Sequence, residues 1–307
     1  MKNDTIYRFR SYAKINWFLK IGQQRTDGYH DILSVMQLIN FYDIIDFYFN
    51  NQNCDEIQCN YEIPTGKKSL LGRLFHLLRE LNPHIKERYF GVKIIKNIPP
   101  SSGLGGASSN VANLLKKMNE ILQLSFENEK LIELSAKLGS DIPFFTTGYP
   151  FAIISGKGEK VIPLHQPPEK YIVLVFPKVG IDTSWAYREW DIEQEQQNCQ
   201  NLPSVKNFLI DFNPSQIEKY IWNDFEKIVY KRMPEFAEYK KTLEQMGCSS
   251  VFMTGSGSSI IGVAPNQEKA VDIVKRLNQK GIHSRWSTTI YKVDSNPIIV
   301  KKGGEEP

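Results

Sequence analysis

The sequence predicts an α+β fold with two domains. Strand and helix patterns are mixed along the chain without the regular strand–helix alternation of a doubly wound parallel sheet. The 307 residues suffice for two domains of about 150 residues each. Three prolines between positions 163 and 168 precede a strongly apolar segment and mark the boundary. We therefore expect an N-terminal domain over residues 1–163, a C-terminal domain over 168–300 and a loose tail over 301–307.

The elements of the first half are indicated by their residue periodicity. Alternating apolar residues and a high content of β-branched and aromatic types predict strands over Ile6–Gly22 and Val35–Phe49. Leucines at helical spacing predict a helix over Leu70–Leu81, with Pro83 just beyond its end. A strand over Val92–Ile98 then leads into a glycine-rich segment, after which apolar residues at helical spacing resume.

The second half carries further strand and helix signals. We expect a helix over Asn128–Leu138 and a buried strand over Tyr171–Phe176. The polar, aperiodic stretch Asp191–Ser204 predicts a solvent-exposed insertion. A helix over Gln267–Gln279 and a strand over His283–Tyr291 follow.

The composition excludes several classes of protein. Hydrophobic residues make up 41% and charged residues 23% of the chain, as in an ordinary globular protein. The net charge of +4 is too small to indicate a nucleic-acid partner. The first ten residues lack the apolar core of a signal peptide, and apolar runs stay far below the roughly 20 residues that span a bilayer. We expect a cytoplasmic protein without a membrane or nucleic-acid partner.

The cysteines do not indicate a scaffold or a metal site. Four of them are too few and too scattered for a disulfide framework. Cys54 and Cys59 are spaced C-x4-C, but no second pair and no histidine lie nearby. Plain thiols are therefore favoured over a zinc site.

A glycine-rich loop, SSGLGGASSN at Ser101–Asn110, lies between a predicted strand and a predicted helix. Glycines let backbone amides approach an anion closely, and a helix N-terminus adds unpaired N–H groups, so the loop indicates a phosphate site. The alternative is a glycine-rich turn without a ligand. A Walker A loop is excluded because it ends in Gly-Lys-Ser/Thr and this loop contains no lysine. A dinucleotide fingerprint is a weaker alternative because Ser108 replaces its third glycine.

Three other parts of the sequence are further candidates for a binding or catalytic site. Ala13–Asn16 (AKIN) is followed shortly by Asp27–His30 (DGYH). Gly139–Phe145 (GSDIPFF) holds an aspartate in a stiff, apolar setting. Gly255–Ser259 (GSGSS) joins two apolar strands, an arrangement that suits backbone packed against a ligand or against the first loop.

Together these motifs resemble the GHMP kinases, and within them the branch whose acceptor substrate is a cytidine-diphosphate-linked sugar alcohol. The resemblance extends from Ala13 to Val263. Its segments are AKIN-x-FL at Ala13–Leu19, RTDGYH at Arg25–His30, IPPSSGLGGASSNVA at Ile98–Ala112, LGSDIPFF at Leu138–Phe145, NDFE at Asn223–Glu226 and MTGSGSS at Met253–Ser259.

The resemblance implies a two-domain fold with an N-terminal domain like domain 2 of ribosomal protein S5 and a ferredoxin-like C-terminal domain. It also implies phosphorylation by ATP, with Mg²⁺, of the 2-hydroxyl of 4-diphosphocytidyl-2-C-methyl-D-erythritol in non-mevalonate isoprenoid synthesis. Lys14 and Asp141 would be the catalytic pair, with the lysine holding the carboxylate ionised beside the hydroxyl. No metal ligand is assigned, although the Ser108 hydroxyl can reach a magnesium ion.

The resemblance also implies the binding residues. The ATP-binding residues are Pro99, Pro100, Ser101, Ser102, Gly103, Leu104, Gly105, Gly106, Ala107, Ser108 and Ser109. The third glycine motif supplies Gly255, Ser256 and Gly257. The acceptor-binding residues are Asn16, Tyr29, His30, Thr183 and Tyr187. The two tyrosines would stack on the cytosine ring and the histidine would hydrogen-bond its edge, with the threonine nearby and the asparagine as a neutral donor.

The chain departs from the family pattern at three places. Ser101 and Ser102 replace Gly-Ala, Ala107 replaces a glycine, and Ser69 stands where an adenine-side asparagine is usual. These changes can alter nucleotide affinity. Two alternatives stay open, namely another GHMP kinase of homoserine or mevalonate type and a non-catalytic nucleotide- or RNA-binding relative. The DGYH segment argues against the first and the retained Lys14 and Asp141 against the second. Both a monomer and a homodimer are compatible with the sequence.

Overall fold

The computed structural model describes residues 5–64, 66, 69–195, 202–291, 293 and 298–301. The strands are β1 (Thr5–Gln24), β2 (His30–Asn50), β3 (Glu56–Cys59), β4 (Tyr89–Ile95), β5 (Phe151–Gly156), β6 (Lys160–Pro163), β7 (Tyr171–Val175), β8 (Trp222–Asn223), β9 (Ser250–Met253), β10 (Ile260–Ala264), β11 (Ser284–Thr288) and β12 (Ile298–Lys301). The α-helices are α1 (Leu70–Leu81), α2 (Gly106–Ile121), α3 (Asn128–Leu138), α4 (Ile142–Thr147), α5 (Thr183–Glu195), α6 (Val205–Asp211), α7 (Asp224–Arg232), α8 (Glu235–Gln245) and α9 (Gln267–Gln279).

The larger sheet is built on the long antiparallel pair β1 and β2. Its main path runs β12-β1-β2-β4-β3, while β5 pairs with β2, β6 with β5, and β8 with β1. Helices α1, α2 and α3 bury their apolar faces in one core with this sheet, where Phe47, Leu74 and Leu115 are fully enclosed. This layer of helices on a mixed sheet carries the glycine-rich loop at the N-terminus of α2.

The smaller sheet has four antiparallel strands in the order β11-β7-β10-β9. Helices α5 to α8 lie between β7 and β9 along the chain, and α9 lies between β10 and β11. Along the chain these elements form a β-α-β-β-α-β unit. With β7, β9, β10 and β11 counted as strands 1 to 4, the order across the sheet is 4-1-3-2, which is the expected ferredoxin-like arrangement. The predicted α+β class is confirmed.

Two short strands connect the second half of the chain to the larger sheet. Strand β8 runs parallel to β1, with Phe18 opposite Trp222 and Leu19 opposite Asn223. Strand β12 pairs antiparallel with the start of β1. The domain division at residues 163–168 stays a prediction, and of the tail over 301–307 only Lys301 falls within the described residues, as the end of β12.

The predicted helices over Leu70–Leu81, Asn128–Leu138 and Gln267–Gln279 have the bounds that the structure gives. Strand β2 begins at His30 rather than Val35, because a tight turn in which Arg25 N donates to the Tyr29 carbonyl starts the ladder earlier. The strand predicted over Val92–Ile98 ends at Ile95 instead.

That early end of β4 has a local cause. The amides of Asn97 and Ile98 donate to one carboxylate oxygen of the buried Asp43, each at 2.8 Å, and the Lys96 amide donates to Asn60 Oδ1 at 2.7 Å. Side chains therefore replace the neighbouring strand as acceptors, and the chain turns away from the sheet into the glycine-rich loop.

The prediction of an aperiodic, solvent-exposed insertion over residues 191–204 is wrong for residues 191–195, which are helical. Helix α5 continues to Glu195, because Ala186 and Trp190 on one face of the helix are buried. Residues 196–201 lie outside the described residues. No helix in the described part of the chain is long and apolar enough to cross a membrane.

Candidate active site

A cavity of about 500 Å³ is lined by the glycine-rich loop, the third glycine motif and residues of β1, α1 and α5. Lys14 and Asp141 both line it. The loop residues on its wall are Pro99, Pro100, Ser101, Ser102, Gly103, Gly105, Gly106, Ala107 and Ser108. Gly255, Ser256 and Gly257 line it as well, whereas Leu104 is buried in a core beside it. The motifs that are far apart in sequence therefore meet at one cavity.

The glycines of the first loop are required by close backbone packing. Gly103 has φ +75°, and a Cβ there would collide with the Thr254 carbonyl oxygen and lie 2.8 Å from the Gly257 carbonyl oxygen. Gly105 has φ +71°, and a Cβ there would lie 3.2 Å from Cε of Lys14. Both residues adopt the left-handed conformation that glycine accommodates without a steric penalty. The loop can thus bring its amides to the cavity while it touches the third motif.

The departure at Ser101 keeps the backbone shape that glycine would favour. Ser101 has φ +52°, a left-handed conformation that is uncommon for a residue with a Cβ. The serine side chain therefore stands at a strained position on the cavity wall, close to Gly180, where an added Cβ would lie 3.2 Å from Ser101 Cβ.

Lys14 and Asp141 form the charged centre of the site. Lys14 Nζ lies 3.8 Å from Asp141 Oδ2, and it donates a hydrogen bond to Asn16 Oδ1 at 2.6 Å. The lysine side chain is buried, whereas the carboxylate is 37% exposed and faces the cavity. Burial lowers the pKa of Lys14, and Asp141 partly offsets this effect. An accessible carboxylate next to a buried cation is suited to accept a proton or a hydrogen bond from a substrate hydroxyl.

Local irregularities in β1 place Lys14 and Asn16 toward the cavity. The β1–β2 register shifts between Tyr12 and Ala13 and again between Asn16 and Phe18. Such bulges redirect side chains relative to a regular strand. The Lys14 amide donates to the Leu104 carbonyl at 3.0 Å, which joins the strand to the glycine-rich loop.

The two serines after the glycines have different surroundings. Ser108 lines the cavity. Ser109 is buried instead, donating to the Tyr12 carbonyl at 2.7 Å and accepting from the Ser11 hydroxyl at 2.8 Å. Of the two, Ser108 is the hydroxyl placed toward a ligand.

Ser69 is occupied by a structural role. Its hydroxyl accepts from Gly72 N at 3.0 Å and donates to the Gly66 carbonyl at 2.7 Å, so it caps α1. Two polar residues, Lys96 and Asn110, line the cavity and are not among the site residues predicted from the sequence. Lys96 lines the cavity and pairs with Asp43 at 2.7 Å, and Asn110 has a buried Oδ1 that accepts no hydrogen bond from any of the described residues. No motif indicates Lys96, and Asn110 stands out in the sequence only as the last residue of the glycine-rich segment.

The residues predicted to bind the acceptor are only partly brought together. Asn16, Thr183 and Tyr187 line the cavity, and Thr183 Oγ1 lies 2.9 Å from Ser256 Oγ. His30 is buried and stacks on Tyr187, with ring centroids 4.9 Å apart. Tyr29 lies in the β1–β2 turn, half exposed, and does not belong to the cavity wall.

His30 has a partner that the sequence did not indicate. Its Nε2 lies 2.7 Å from Asp191 Oδ1, a residue of the segment predicted to be a solvent-exposed insertion. Burial raises the pKa of Tyr187, so its phenol remains protonated at neutral pH. The ring of Tyr29 instead faces Lys157, whose Nζ lies 4.3 Å from the ring centroid.

The described residues contain no group of three or more histidine, cysteine or acidic side chains that could hold a metal ion. An oxygen donor is nevertheless present at the cavity, since the Ser108 hydroxyl lines it. Mg²⁺ in phosphate sites commonly takes one or two protein oxygens, with the remaining positions filled by phosphate and water. The donor set therefore fits a magnesium ion that arrives with a nucleotide.

The chain is similar to known proteins over most of its length. The N-terminal domain of the GHMP kinases matches residues 69–149, and the C-terminal domain of the GHMP kinases matches residues 210–283. The 4-diphosphocytidyl-2-C-methyl-D-erythritol kinase of Thermodesulfovibrio yellowstonii is 33% identical over 87% of this chain and 92% of its own length. The enzyme of the same name from Caldanaerobacter subterraneus is also 33% identical, over 90% of this chain and 93% of its own.

Solved structures show the same fold. A crystal structure of 4-(cytidine 5'-diphospho)-2C-methyl-D-erythritol kinase has a TM-score of 0.73 and 25% identity, and the match covers 92% of this chain and 98% of the other. Homoserine kinase from Cytophaga hutchinsonii has a TM-score of 0.68 at 16% identity, over 98% of each chain, which shows the fold alone. From the two family domains and the sequence relatives, the chain belongs to the GHMP kinases and, among them, to the 4-diphosphocytidyl-2-C-methyl-D-erythritol kinase family.

Proposed function

We propose that this protein transfers the γ-phosphoryl group of ATP to the 2-hydroxyl of 4-diphosphocytidyl-2-C-methyl-D-erythritol, a step of non-mevalonate isoprenoid synthesis. The observation that carries the proposal is the meeting of Lys14, Asp141 and both glycine motifs at one cavity. The names of the relatives supply the acceptor substrate.

The catalytic roles follow from the charge and exposure of the pair. The acceptor oxygen attacks the γ-phosphorus as the bond from this phosphorus to the bridging oxygen breaks, and ADP leaves with that electron pair. Asp141, which is accessible to the substrate, accepts the hydroxyl proton. Lys14 lies beside this carboxylate and compensates negative charge at the reacting oxygen. Asn16 holds the ammonium in place through its hydrogen bond.

The nucleotide phosphates fit the glycine-rich loop and the start of α2. A helix N-terminus offers unpaired N–H groups and the positive end of the helix dipole to an anion. The Ser108 hydroxyl would hold the magnesium ion that accompanies ATP, together with phosphate oxygens and water. When bound, the ion would neutralise charge on the phosphates.

The acceptor fits the other side of the cavity, where Thr183 and Tyr187 start α5. We place the cytosine ring near Tyr187 and His30. In the described structure these two rings stack on each other, so a base that stacks on Tyr187 at that face would have to displace the imidazole. Tyr29 would reach the base only after its half-exposed turn moves toward the cavity.

Turnover of ATP with separate acceptors tests the proposal. Purified protein with Mg²⁺ is offered the cytidyl-methylerythritol, homoserine, mevalonate or galactose, and ADP formation is measured. We expect ADP with the first acceptor only. ADP with another acceptor would keep a GHMP kinase and overturn the substrate. ATP binding without turnover on any of the four would indicate a non-catalytic relative.

A further inference from the structure

The Asn223–Glu226 segment (NDFE) lies beside the third glycine motif and has no role in the reaction described above. Asn223 is buried on β8, next to β1. Its Nδ2 donates two hydrogen bonds of 2.8 Å, one to the Met253 carbonyl and one to the Gly255 carbonyl. These carbonyls flank Thr254. One carboxamide thus holds both sides of the residue that connects the third motif to the catalytic strand.

Thr254 is linked to the catalytic Lys14 through hydrogen bonds with Asn16. The Asn16 amide donates to Thr254 Oγ1 at 2.9 Å, and Thr254 Oγ1 lies 3.3 Å from Asn16 Oδ1. That same Oδ1 accepts from Lys14 Nζ at 2.6 Å. The next residue, Gly255, is close enough that a Cβ there would lie 3.2 Å from Lys14 Nζ.

The rest of the segment fixes Asn223 in place. Asp224 accepts from the Ile21 amide of β1 at 2.7 Å, and Glu226 accepts from the Met253 amide of β9 at 2.6 Å. Asn223 Oδ1 also caps α7 by accepting from Phe225 N at 3.0 Å. The segment is therefore hydrogen-bonded to β1, which carries Lys14, and to β9, which leads into the third glycine motif.

We infer that Asn223 is a positioning residue for phosphoryl transfer, which orients the Lys14 ammonium toward Asp141 through Thr254 and Asn16. The inference rests on the proposed function for the identity of the reaction. Displacement of a catalytic group by about 1 Å can lower a rate about 100-fold, so a residue that never touches substrate can still control turnover.

The substitution Asn223→Asp tests this with little change of shape. Aspartate caps a helix as well as asparagine, so α7 keeps its cap, but the donor to two carbonyls is replaced by an acceptor. We expect kcat to fall about 10- to 100-fold with the KM for ATP changed less than about threefold. Asn266→Asp is the matched control, because Asn266 caps α9 by accepting from Lys269 N, away from the cavity. It should leave kcat within about twofold.

A second variant covers the case in which the new charge prevents folding. Asn223→Ser keeps an uncharged cap and removes the amide donor. Its kcat should fall, and the double variant Asn223→Ser/Thr254→Val should lose no more activity than Thr254→Val alone, because both substitutions act on one path. Wild-type kcat in both Asn223 variants, or additive losses in the double variant, would overturn the inference.

An NMR titration separates this inference from the proposed function. The Lys14 Cε resonance, assigned with Lys14→Arg, is followed against pH in the wild type, Asn223→Ser and Asn266→Ser. We expect the Lys14 titration to move in Asn223→Ser only. If the wild type has no kinase activity, the proposed function fails while this shift still supports the path from Asn223 to Lys14. An unchanged Lys14 titration in Asn223→Ser would refute that path.

Discussion

Lys14 Nζ lies 3.8 Å from the Asp141 carboxylate, although β1 and the turn before α4 are far apart in the sequence. The cation is buried and the anion is accessible. This unequal exposure distinguishes the pair from a surface ion pair, whose partners are both solvated and contribute little. It places the acidic partner where a substrate hydroxyl can reach it.

Removal of the Asp141 charge should therefore affect chemistry more than binding. For Asp141→Asn we expect kcat to fall about 10²- to 10⁴-fold, the usual contribution of a general base, with the KM for ATP little changed. Steady-state ADP formation measures this. Asp272→Asn, a substitution of an exposed carboxylate on α9, is the control and should retain full activity. Turnover equal to the wild type in Asp141→Asn would remove this residue from the mechanism.

The glycine-rich loop should not tolerate a side chain at Gly103. In Gly103→Ala the new methyl group collides with backbone of the third motif, at a position that also has φ +75°. We expect the KM for ATP to rise at least about tenfold, as the loop is pushed away from the phosphates. Gly281→Ala is a matched control, with the same φ of +75° and, apart from its chain neighbours, no atom of the described residues within 4 Å of the added Cβ. A KM for ATP in Gly103→Ala no higher than that in Gly281→Ala would show that the contact with the third motif does not position the loop for the nucleotide.

The His30–Asp191 pair should matter for the acceptor and not for ATP. Asp191 Oδ1 lies 2.7 Å from the imidazole and so fixes the ring that stacks on Tyr187. We expect Asp191→Asn and His30→Ala each to raise the KM for the cytidyl substrate about tenfold and to combine less than additively. His76→Ala, on the exposed face of α1, is the control. A rise in the KM for ATP in either variant would contradict this assignment.

Lys116 should make stability depend on pH above neutrality. Burial lowers the pKa of Lys116 to about 8, and its Nζ donates to the Phe145 carbonyl of α4 at 2.9 Å. Between about pH 8 and the ordinary lysine pKa of 10.5, the unfolded chain binds the proton that the native protein has released. The free energy of unfolding therefore rises with pH across this window.

Urea unfolding of the wild type and Lys116→Met at pH 7.5 and 9.5 measures this effect. Relative to Lys116→Met, the wild type should gain at most about 2 kcal/mol in unfolding free energy between the two pH values. A difference between the proteins that stays constant with pH would show that Lys116 keeps an ordinary pKa.

Local patterns predicted much of the fold. Helices α1, α3 and α9 begin and end at the predicted residues, because the apolar periodicity and the flanking proline and glycine residues are local signals. Helix α5, which ends at Glu195, was not predicted, since its helical turns are held by the burial of Ala186 and Trp190 in a core formed by other segments. The early end of β4 was missed for a similar reason, because Asp43 and Asn60 supply acceptors from elsewhere in the chain.

The α+β class, the motifs of the site and, by their resemblance, the kinase family could be predicted from the sequence, because glycines, a lysine and an aspartate in fixed local contexts are visible without coordinates. Which residues face the cavity could be read only from the three-dimensional structure. In the structure, Ser69 caps α1, Tyr29 lies at an exposed turn, His30 pairs with Asp191, and Asn223 contacts the third motif. Each of these outcomes depends on the direction of a side chain and on its partners, and those are set by packing between distant segments, which local sequence patterns do not encode.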